Sequence, residues 1–273
     1  MPQPTSFHAR LRGSRAIVTG AGSLGSGVGT GKAIAALFAA EGCHVGLVDL
    51  DRDRAEQTLA LVESLGGKGF VVPGDVADSV GAKRIVEDAL GRLGGLDILV
   101  NNVGIAAGGG PLHLAPEADV ERVMRINFGS ALAMCRHAIP HLLAGDGKAI
   151  VNVASIAGMR AHGSAGYGPS KAAMIQLTAE LAVMYGREGL RANAVVPGHI
   201  FTPMVEKNVV GDKRALRRDI APLSIEGDAW DVAQAALFLA GSESRFITGV
   251  ALPVDGGVTR IGPLAAIERI LDR

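Results

Sequence analysis

Tyr167 and Lys171 lie four positions apart in the segment Tyr167-Gly168-Pro169-Ser170-Lys171. Residues at this spacing share one face of a helix, so the phenol and the ammonium would be neighbours. A free tyrosine has a pKa near ~10, and a nearby ammonium favours the phenolate. Such a tyrosine could exchange a proton with an alcohol or a carbonyl group near neutral pH. The same spacing is also common in plain surface pairs, so the surrounding sequence must decide.

A glycine-rich segment joins the first predicted strand to the first predicted helix. Residues 19–32 read TGAGSLGSGVGTGK. Glycines in such a turn let backbone N–H groups approach a pyrophosphate at the helix N-terminus. A phosphate loop of the NTPase type would need Gly at 26 and Ser or Thr at 33, but the chain has Ser26 and Ala33. A dinucleotide-binding turn and a merely tight connection both remain open.

Asp49 ends the second predicted strand. A carboxylate at that position can accept hydrogen bonds from both hydroxyls of an adenosine ribose. It would repel a 2′-phosphate, so Asp49 favours NAD and disfavours NADP. Arg52 and Arg54 lie close by and weaken this preference. Asp49 could instead be the N-cap of the following helix.

Metal binding and disulfide formation are not predicted. His137 and His141 have helical metal-ligand spacing, but Pro140 intervenes and no third ligand is evident. Cys43 and Cys135 are expected to be buried free thiols, since two cysteines cannot build a disulfide scaffold.

Composition excludes several classes of function. The chain has 273 residues, 48% of them hydrophobic, with 27 basic and 27 acidic side chains. A balanced charge provides no basic field for nucleic acid or an anionic membrane. Residues 1–15 lack the apolar stretch of a secretory signal, and no segment reads as a bilayer span. A soluble cytoplasmic protein is expected.

Short apolar strands alternate with helical patterns along the chain. The strands are predicted at residues 16–18, 45–48, 70–72, 98–100, 149–153, 192–196 and 250–252. This alternation predicts an α/β fold with a single Rossmann-type, doubly wound parallel sheet and helices on both faces. No linker or repeat divides the series, so residues 1–273 are interpreted as one dinucleotide-binding catalytic domain. Ligands of such sheets bind beyond the carboxyl ends of the strands.

Several motifs in a fixed order resemble the classical short-chain dehydrogenase/reductase family across residues 15–257. They are Thr19-Gly20 with the glycine turn, Asp75-Val76, Asn101-Asn102-Val103-Gly104, Asn127, Ser155, Tyr167 with Lys171, Asn193, Pro197-Gly198, Thr202 and Asp255-Gly256-Gly257. The resemblance implies that Tyr167 is the general acid/base and that Ser155 binds the substrate oxygen. It implies that Lys171 lowers the tyrosine pKa and holds the nicotinamide ribose, while Asn127 anchors a water of a proton relay.

The glycine turn departs from the family pattern. Counting back from the end of the first helix identifies Gly29 and Gly31 as the last two glycines of the family's glycine motif. Five residues are then inserted between Gly20 and Gly29. Registers through Gly25 or Gly27 remain open. We expect the extra residues, 22–28, to form a longer turn over the adenosine phosphates. The residues expected to bind the cofactor are Gly20, Gly22, Ser23, Gly29, Thr30, Gly31, Asp49, Leu50, Asp75, Val76, Asn102, Gly104, Tyr167, Lys171, Pro197, Ile200 and Thr202, with Asn101 expected to support a turn.

The family resemblance also suggests how the substrate site is closed. Residues 203–226 would form a mobile substrate lid, and residues 258–273 a C-terminal extension that packs in a homotetramer or homodimer. Basic side chains of the lid could meet a phosphate or coenzyme A tail, or could form a solvated helix face; they are Lys207, Lys213, Arg214, Arg217 and Arg218. His162 and His199 could face the substrate or be incidental.

The function that follows is an NAD-dependent oxidoreductase acting on a small secondary alcohol or its ketone. Two alternatives stay open: a 3-oxoacyl thioester reductase that uses NADPH, and a non-catalytic dinucleotide-sensing subunit on the same fold.

Overall fold

Seven parallel strands form one sheet in the order β3-β2-β1-β4-β5-β6-β7. The computed structural model describes residues 9–25, 27–107, 109–206, 209 and 211–271. The strands are β1 Arg15–Thr19, β2 His44–Asp49, β3 Lys68–Pro73, β4 Ile98–Asn101, β5 Ala149–Val153, β6 Arg191–Pro197 and β7 Ala251–Val254. This confirms the predicted Rossmann-type sheet, with each strand within a few residues of its predicted position.

Helices cover both faces of the sheet. They are α1 Thr30–Ala40, α2 Arg52–Ser64, α3 Ser79–Leu93, α4 Glu117–Met124, α5 Ser130–Ala144, α6 Tyr167–Tyr185, α7 Pro203–Glu206, α8 Asp212–Asp219, α9 Ala229–Ala240 and α10 Pro263–Leu271. Along β1, Ala16 and Val18 pack with α1 and α9, whereas Ile17 packs with α3, α5 and α6. Both faces of the central strands are therefore buried, which explains why their sequences are continuous apolar runs.

The strand order reverses between β1 and β4. β1 pairs with β2 on one side and with β4 on the other, so the connections after these two strands diverge to opposite halves of the sheet. A crevice opens at the carboxyl ends of the strands at such a point. The glycine turn after β1 and the Asn102 segment after β4 both face this crevice.

A chain of buried side-chain amides and a hydroxyl links the neighbouring strands β4 and β5 to α6. Asn101 Nδ2 donates to Asn152 Oδ1 at 2.8 Å, and Asn152 Nδ2 donates to Thr178 Oγ1 at 2.8 Å. The expectation that Asn101 supports a turn is wrong, because it lies inside β4 and pairs across to β5. These bonds hold α6, which begins with Tyr167, in a fixed position against β5.

Across the described residues, no helix combines the length and the apolar character needed to cross a bilayer. Cys43 and Cys135 are both buried and free, as predicted.

Gly31→Ala and Gly91→Ala are expected to change stability in opposite directions. A Cβ on Gly31 would lie 2.0 Å from the carbonyl oxygen of Gly20, so helix and turn would have to separate; overpacking of this kind costs about 1–3 kcal/mol. A Cβ on Gly91, inside α3, would meet nothing within 4 Å, so alanine should stabilise by about 0.5–1 kcal/mol. Urea unfolding of both variants measures the two signs, and equal effects would contradict this packing.

Candidate active site

The glycine turn brings the start of α1 directly against the end of β1. Gly29 is the N-cap of α1 and provides no side-chain hydrogen bond, so the first N–H groups of this helix have no side-chain cap. Ser23 is 6% exposed, and within the described part of the chain its hydroxyl has no hydrogen-bond partner. An uncapped helix N-terminus beside a buried, unpartnered hydroxyl fits a bound phosphate group.

Asp49 holds this turn in place. Its Oδ2 accepts from the Gly22 amide at 2.8 Å, and its Oδ1 accepts from the Asp51 amide at 3.0 Å. The alternative that Asp49 caps the following helix is wrong, because Asp51 is the N-cap of α2. A Cβ on Gly22 would lie 2.8 Å from Asp49 Oδ2, so only glycine fits there.

The two arginines after Asp49 have acidic partners. Arg54 Nε lies 3.0 Å from Asp51 Oδ2, and Arg52 Nη1 lies 3.3 Å from Glu56 Oε1. Both pairs are exposed and individually weak. Their geometry nonetheless directs the two guanidinium groups to the α2 carboxylates.

One cleft of about 470 Å³ collects most of the residues that the sequence assigns to cofactor binding. The predicted residues that line it are Gly20, Gly22, Ser23, Gly29, Thr30, Gly31, Asp49, Leu50, Asp75, Val76, Asn102, Gly104 and Thr202. Asn102 fastens its wall, since Nδ2 donates to the Gly20 carbonyl at 3.0 Å. The other residues predicted to bind the cofactor lie elsewhere. Pro197 ends β6, Ile200 lines a different cavity, and Tyr167 and Lys171 lie in the first two turns of α6.

The residues inserted in the glycine turn line two different cavities. Gly22, Ser23 and Leu24 line the cleft. Gly27 and Val28 instead line a smaller cavity next to the residues that follow β6, and a Cβ on Gly27 would lie 2.6 Å from Pro203 Cγ. Position 26 lies outside the described residues. The hypothesis of a phosphate-covering turn therefore stays a prediction for residues 22–24, while residues 27–28 lie next to the predicted lid.

Ser155, Tyr167 and Lys171 come together where β5 ends and α6 begins. Ser155 follows the buried segment Val153-Ala154. Its hydroxyl accepts from the Ala157 amide at 3.2 Å, and its side chain lowers the pKa of the Tyr167 phenol. Lys171 is 4% exposed. Its Nζ donates to the Val153 carbonyl at 2.9 Å and lies 6.0 Å from the centre of the Tyr167 ring.

The pKa values of Tyr167 and Lys171 respond mainly to burial. Burial raises the pKa of the Tyr167 phenol, and the hydrogen bond to Ser155 lowers it by less. Burial lowers the pKa of the Lys171 ammonium to about 8. The net direction for the tyrosine is upward because burial is the largest cause. The expectation that Lys171 lowers the tyrosine pKa stays a prediction, with the ammonium 6.0 Å from the ring centre.

Asn127 holds the loop after β4 against α6. It lies in a short π-helical turn, Arg125–Gly129, and is completely buried. Its Oδ1 accepts from the Ile105 amide at 2.7 Å, and its Nδ2 donates to the Ile105 carbonyl and to Ser170 Oγ, both at 3.0 Å. These contacts are structural, and the relay water implied by the family resemblance stays a prediction.

Gly104 provides the space beside these groups. A Cβ there would lie 3.1 Å from Lys171 Nζ and 3.5 Å from Asn127 Oδ1. The glycine after Asn102-Val103 thus lets the backbone pass over the lysine head group. The amide of Asn127 and the ammonium of Lys171 consequently approach the same point of the chain.

Sequence reasoning missed several residues of the site. Ser170 Oγ donates to the Tyr167 carbonyl at 2.7 Å and accepts from Asn127; its place directly before Lys171 was the available signal. Arg122 and Arg125 line the rim of the cleft, and their spacing of three just before Asn127 could have indicated a shared face.

Metal ligation has no support in the described ranges, where no group of three or more His, Cys, Asp or Glu could hold an ion. His137 contacts Ser79 instead, with 3.5 Å between Nε2 and Oγ.

Comparisons with known proteins agree with this geometry. A family model described as enoyl-(acyl carrier protein) reductase matches residues 25–259. The chain is 38% identical over 253 residues to 2-(R)-hydroxypropyl-CoM dehydrogenase of Xanthobacter autotrophicus, covering 90% of this chain and 98% of that protein. It is 36% identical over 261 residues to (3R)-3-hydroxyacyl-CoA dehydrogenase of Mus musculus, covering 91% of this chain and 97% of that one.

A crystallised protein from Burkholderia xenovorans, assigned to the short-chain dehydrogenases/reductases, superposes with a TM-score of 0.87 at 44% identity, over 93% of this chain and 99% of its own. Family membership implies a nicotinamide cofactor. The resemblance found in the sequence motifs is confirmed: this chain belongs to the short-chain dehydrogenase/reductase family and is an oxidoreductase that acts on alcohol or ketone substrates.

Proposed function

We propose that this protein is an NAD-dependent oxidoreductase that interconverts a secondary alcohol and its ketone, with Tyr167 as the general acid/base. The observation that carries the proposal is the convergence of Ser155, at the end of β5, and Tyr167, at the start of α6, with the buried Lys171 one helical turn away. The residues of the adjacent cleft fit a dinucleotide because an uncapped helix and an unpartnered Ser23 hydroxyl meet there. When bound, the nicotinamide would supply hydride transfer.

The chain's own residues handle the proton and the substrate oxygen. Ser155 donates a hydrogen bond to that oxygen and orients it towards the phenol of Tyr167. In ketone reduction Tyr167 gives its proton to the oxygen, and in alcohol oxidation it accepts that proton. Because burial raises the pKa of Tyr167, the phenol is protonated at neutral pH and is ready to act as the acid.

Asp49 supports NAD as the preferred cofactor. Its carboxylate lies on the wall of the cleft, where it would accept ribose hydroxyls and repel a 2′-phosphate. The cations closest to it in sequence, Arg52 and Arg54, are directed to Glu56 and Asp51. Arg54 also lines the cleft, but its guanidinium is paired with Asp51, whereas Asp49 is held by two backbone amides.

Two alternatives are weaker. A 3-oxoacyl thioester reductase has a counterpart in the mouse relative named for 3-hydroxyacyl-CoA, but the NADPH that such an enzyme would use is disfavoured by Asp49. A non-catalytic dinucleotide sensor would not require Ser155, Tyr167, Lys171 and Asn127 together.

The proposal includes one catalytic domain, a lid and an oligomer. We take residues 203–226 as the lid, of which 207, 208 and 210 lie outside the described residues.

The C-terminal extension, residues 258–273, contains α10, whose Leu264, Ile267 and Leu271 are exposed. Residues 272 and 273 lie outside the described residues. An apolar helix face of this kind supports a homotetramer or homodimer. The two free cysteines support a cytoplasmic location.

Tyr167→Phe is expected to keep NAD binding and lose turnover by a factor on the order of 100 to 10,000, because general acid/base catalysis contributes about that much. Turnover is followed by absorbance of the reduced cofactor over a panel of ketones, and binding by fluorescence titration. Tyr185→Phe is the matched control, since Tyr185 ends the same helix and is the other tyrosine of the chain. Near-normal turnover of Tyr167→Phe would overturn the assignment.

Asp49→Asn should narrow the preference for NAD over NADP by about tenfold or more, since it removes a charge-assisted hydrogen bond and a like-charge repulsion. The measurement is the ratio of kcat/KM for NADH and NADPH with one ketone. Asp53→Asn, in the first turn of α2, is the control for a loss of negative charge in the same helix region. An unchanged ratio in Asp49→Asn would show that Asp49 serves only to hold Gly22.

The pH dependence of the two directions should be opposite. Reduction needs the protonated Tyr167 phenol and falls as pH rises through its pKa, whereas oxidation needs the phenolate and rises. Ser155→Ala removes the hydrogen bond that lowers this pKa. The midpoints of the pH profiles for reduction and for oxidation should therefore both move to higher pH, and the rates of both directions should fall. Profiles of kcat/KM from about pH 6 to about pH 11 measure the shift, and Ser155→Thr, which keeps the hydroxyl, should reduce it.

A further inference from the structure

Arg217 differs from its neighbours on the lid helix α8. Arg214 pairs with Glu226, with 2.7 Å between Nε and Oε1, and stacks 3.6 Å from the centre of the Phe201 ring. Arg218 pairs with the adjacent Asp219. The Arg217 guanidinium is half-buried, yet within the described ranges no hydrogen bond or ion pair engages it.

An unpaired, half-buried guanidinium is an unfavourable arrangement. Burial lowers the pKa of Arg217, and no carboxylate offsets that effect. Taking a charge out of water without a partner costs free energy, which a bound anion would recover. Arg217 is therefore available to pair with an anionic ligand.

Arg217 lines a cavity of about 600 Å³ between the lid, the end of β7 and the start of α9. Much of the lining is apolar, from Ile200, Pro222, Leu223 and Ile225. A cavity of this size and character suits a small molecule with an apolar body.

The acidic groups of the same cavity are already engaged by the backbone. Asp255 accepts from the amides of Gly257 and Thr259, both at 2.9 Å. Asp231 accepts from the Asp228 amide at 2.8 Å, as part of the capping box of α9. Arg217 is the cation left facing the cavity.

His199, which lines the same cavity, holds the backbone of Arg217. Its Nδ1 lies 3.1 Å from the Arg217 carbonyl oxygen, and burial lowers its pKa, so the ring is neutral at neutral pH and donates from Nδ1. The charge of His162 also acts on His199, and the His162 ring lies 6.5 Å from the Tyr167 ring, centre to centre. The cavity thus lies next to the loop that precedes Tyr167.

A hydrogen bond also joins the rim of this cavity to the catalytic loop. Arg160 Nη2, between Ser155 and Tyr167, donates to the Thr259 carbonyl at 2.8 Å. Thr259 in turn donates its amide to Asp255. These two bonds place the loop between Ser155 and Tyr167 beside the end of the cavity that Asp255 lines.

We propose that the substrate carries a carboxylate on an apolar body, and that Arg217 binds this carboxylate while the carbon bearing the hydroxyl or ketone reaches Ser155 and Tyr167. The proposal rests on the proposed function for the reacting end. One planar guanidinium beside a neutral histidine matches a singly charged, planar carboxylate. A phosphate dianion would require a second cation.

The test compares binding of hexanoate with that of its neutral analogue hexanamide, by isothermal titration, with and without NAD. The intact protein should bind hexanoate at least about tenfold more tightly. Arg217→Gln should remove this preference, and Arg217→Lys should retain part of it. Arg218→Gln, on the next residue of α8, should leave it unchanged.

Equal binding of the two compounds, no binding of hexanoate, or an unchanged preference in Arg217→Gln would overturn the proposal. If the intact protein does not bind hexanoate and Arg217→Gln has a changed oligomeric mass, the cavity binds a second copy of the chain. That result would also overturn the proposal. The binding readout does not depend on turnover, and Tyr167→Phe should still bind hexanoate. Failure of the proposed function would appear as an absence of ketone turnover with the carboxylate preference intact.

Discussion

Lys171 places an ammonium group inside the protein, where Val153 provides a carbonyl partner at 2.9 Å. Burial of this charge is unfavourable, and it lowers the pKa of the lysine to about 8. The rest of the site is arranged around that group: Gly104 leaves room above it, Asn127 fixes the adjoining loop, and α6 holds Tyr167 one turn away. With the ammonium 6.0 Å from the centre of the Tyr167 ring, the balance between phenol and phenolate is sensitive to any further charge brought near them.

The sheet explains why these groups meet at all. The strand order reverses beside β1, and this places the turn after β1 and the loop after β4 on opposite walls of one crevice. Hydrogen bonds then join the walls, with Asn102 Nδ2 donating to Gly20 and Asp49 accepting from Gly22. Side chains that are far apart in sequence are therefore fixed by backbone contacts rather than by the ligand.

The parts that sequence analysis predicted correctly depend on short-range physics. Buried parallel strands must be continuous apolar runs, and Tyr167 and Lys171 share a face because a helix repeats every 3.6 residues. The details that it missed depend on tertiary neighbours. The sequence could not distinguish Asp49 from Asp51 as the cap of α2, could not foresee the π-helical turn at Asn127, and could not show that burial would raise the pKa of Tyr167. Whether each lid arginine has a partner likewise depends on how α8 folds back on Phe201 and Glu226.

The contact between Gly27 and Pro203 has a mechanical implication. Because a single carbon added to Gly27 would lie 2.6 Å from the proline ring, the glycine turn and the first residue of the proposed lid are in close contact at this point. Any displacement that carries Pro203 inwards must push the turn, and any rearrangement of the turn must shift the hinge of the lid. The glycine turn and the hinge of the proposed lid are therefore mechanically coupled at this contact.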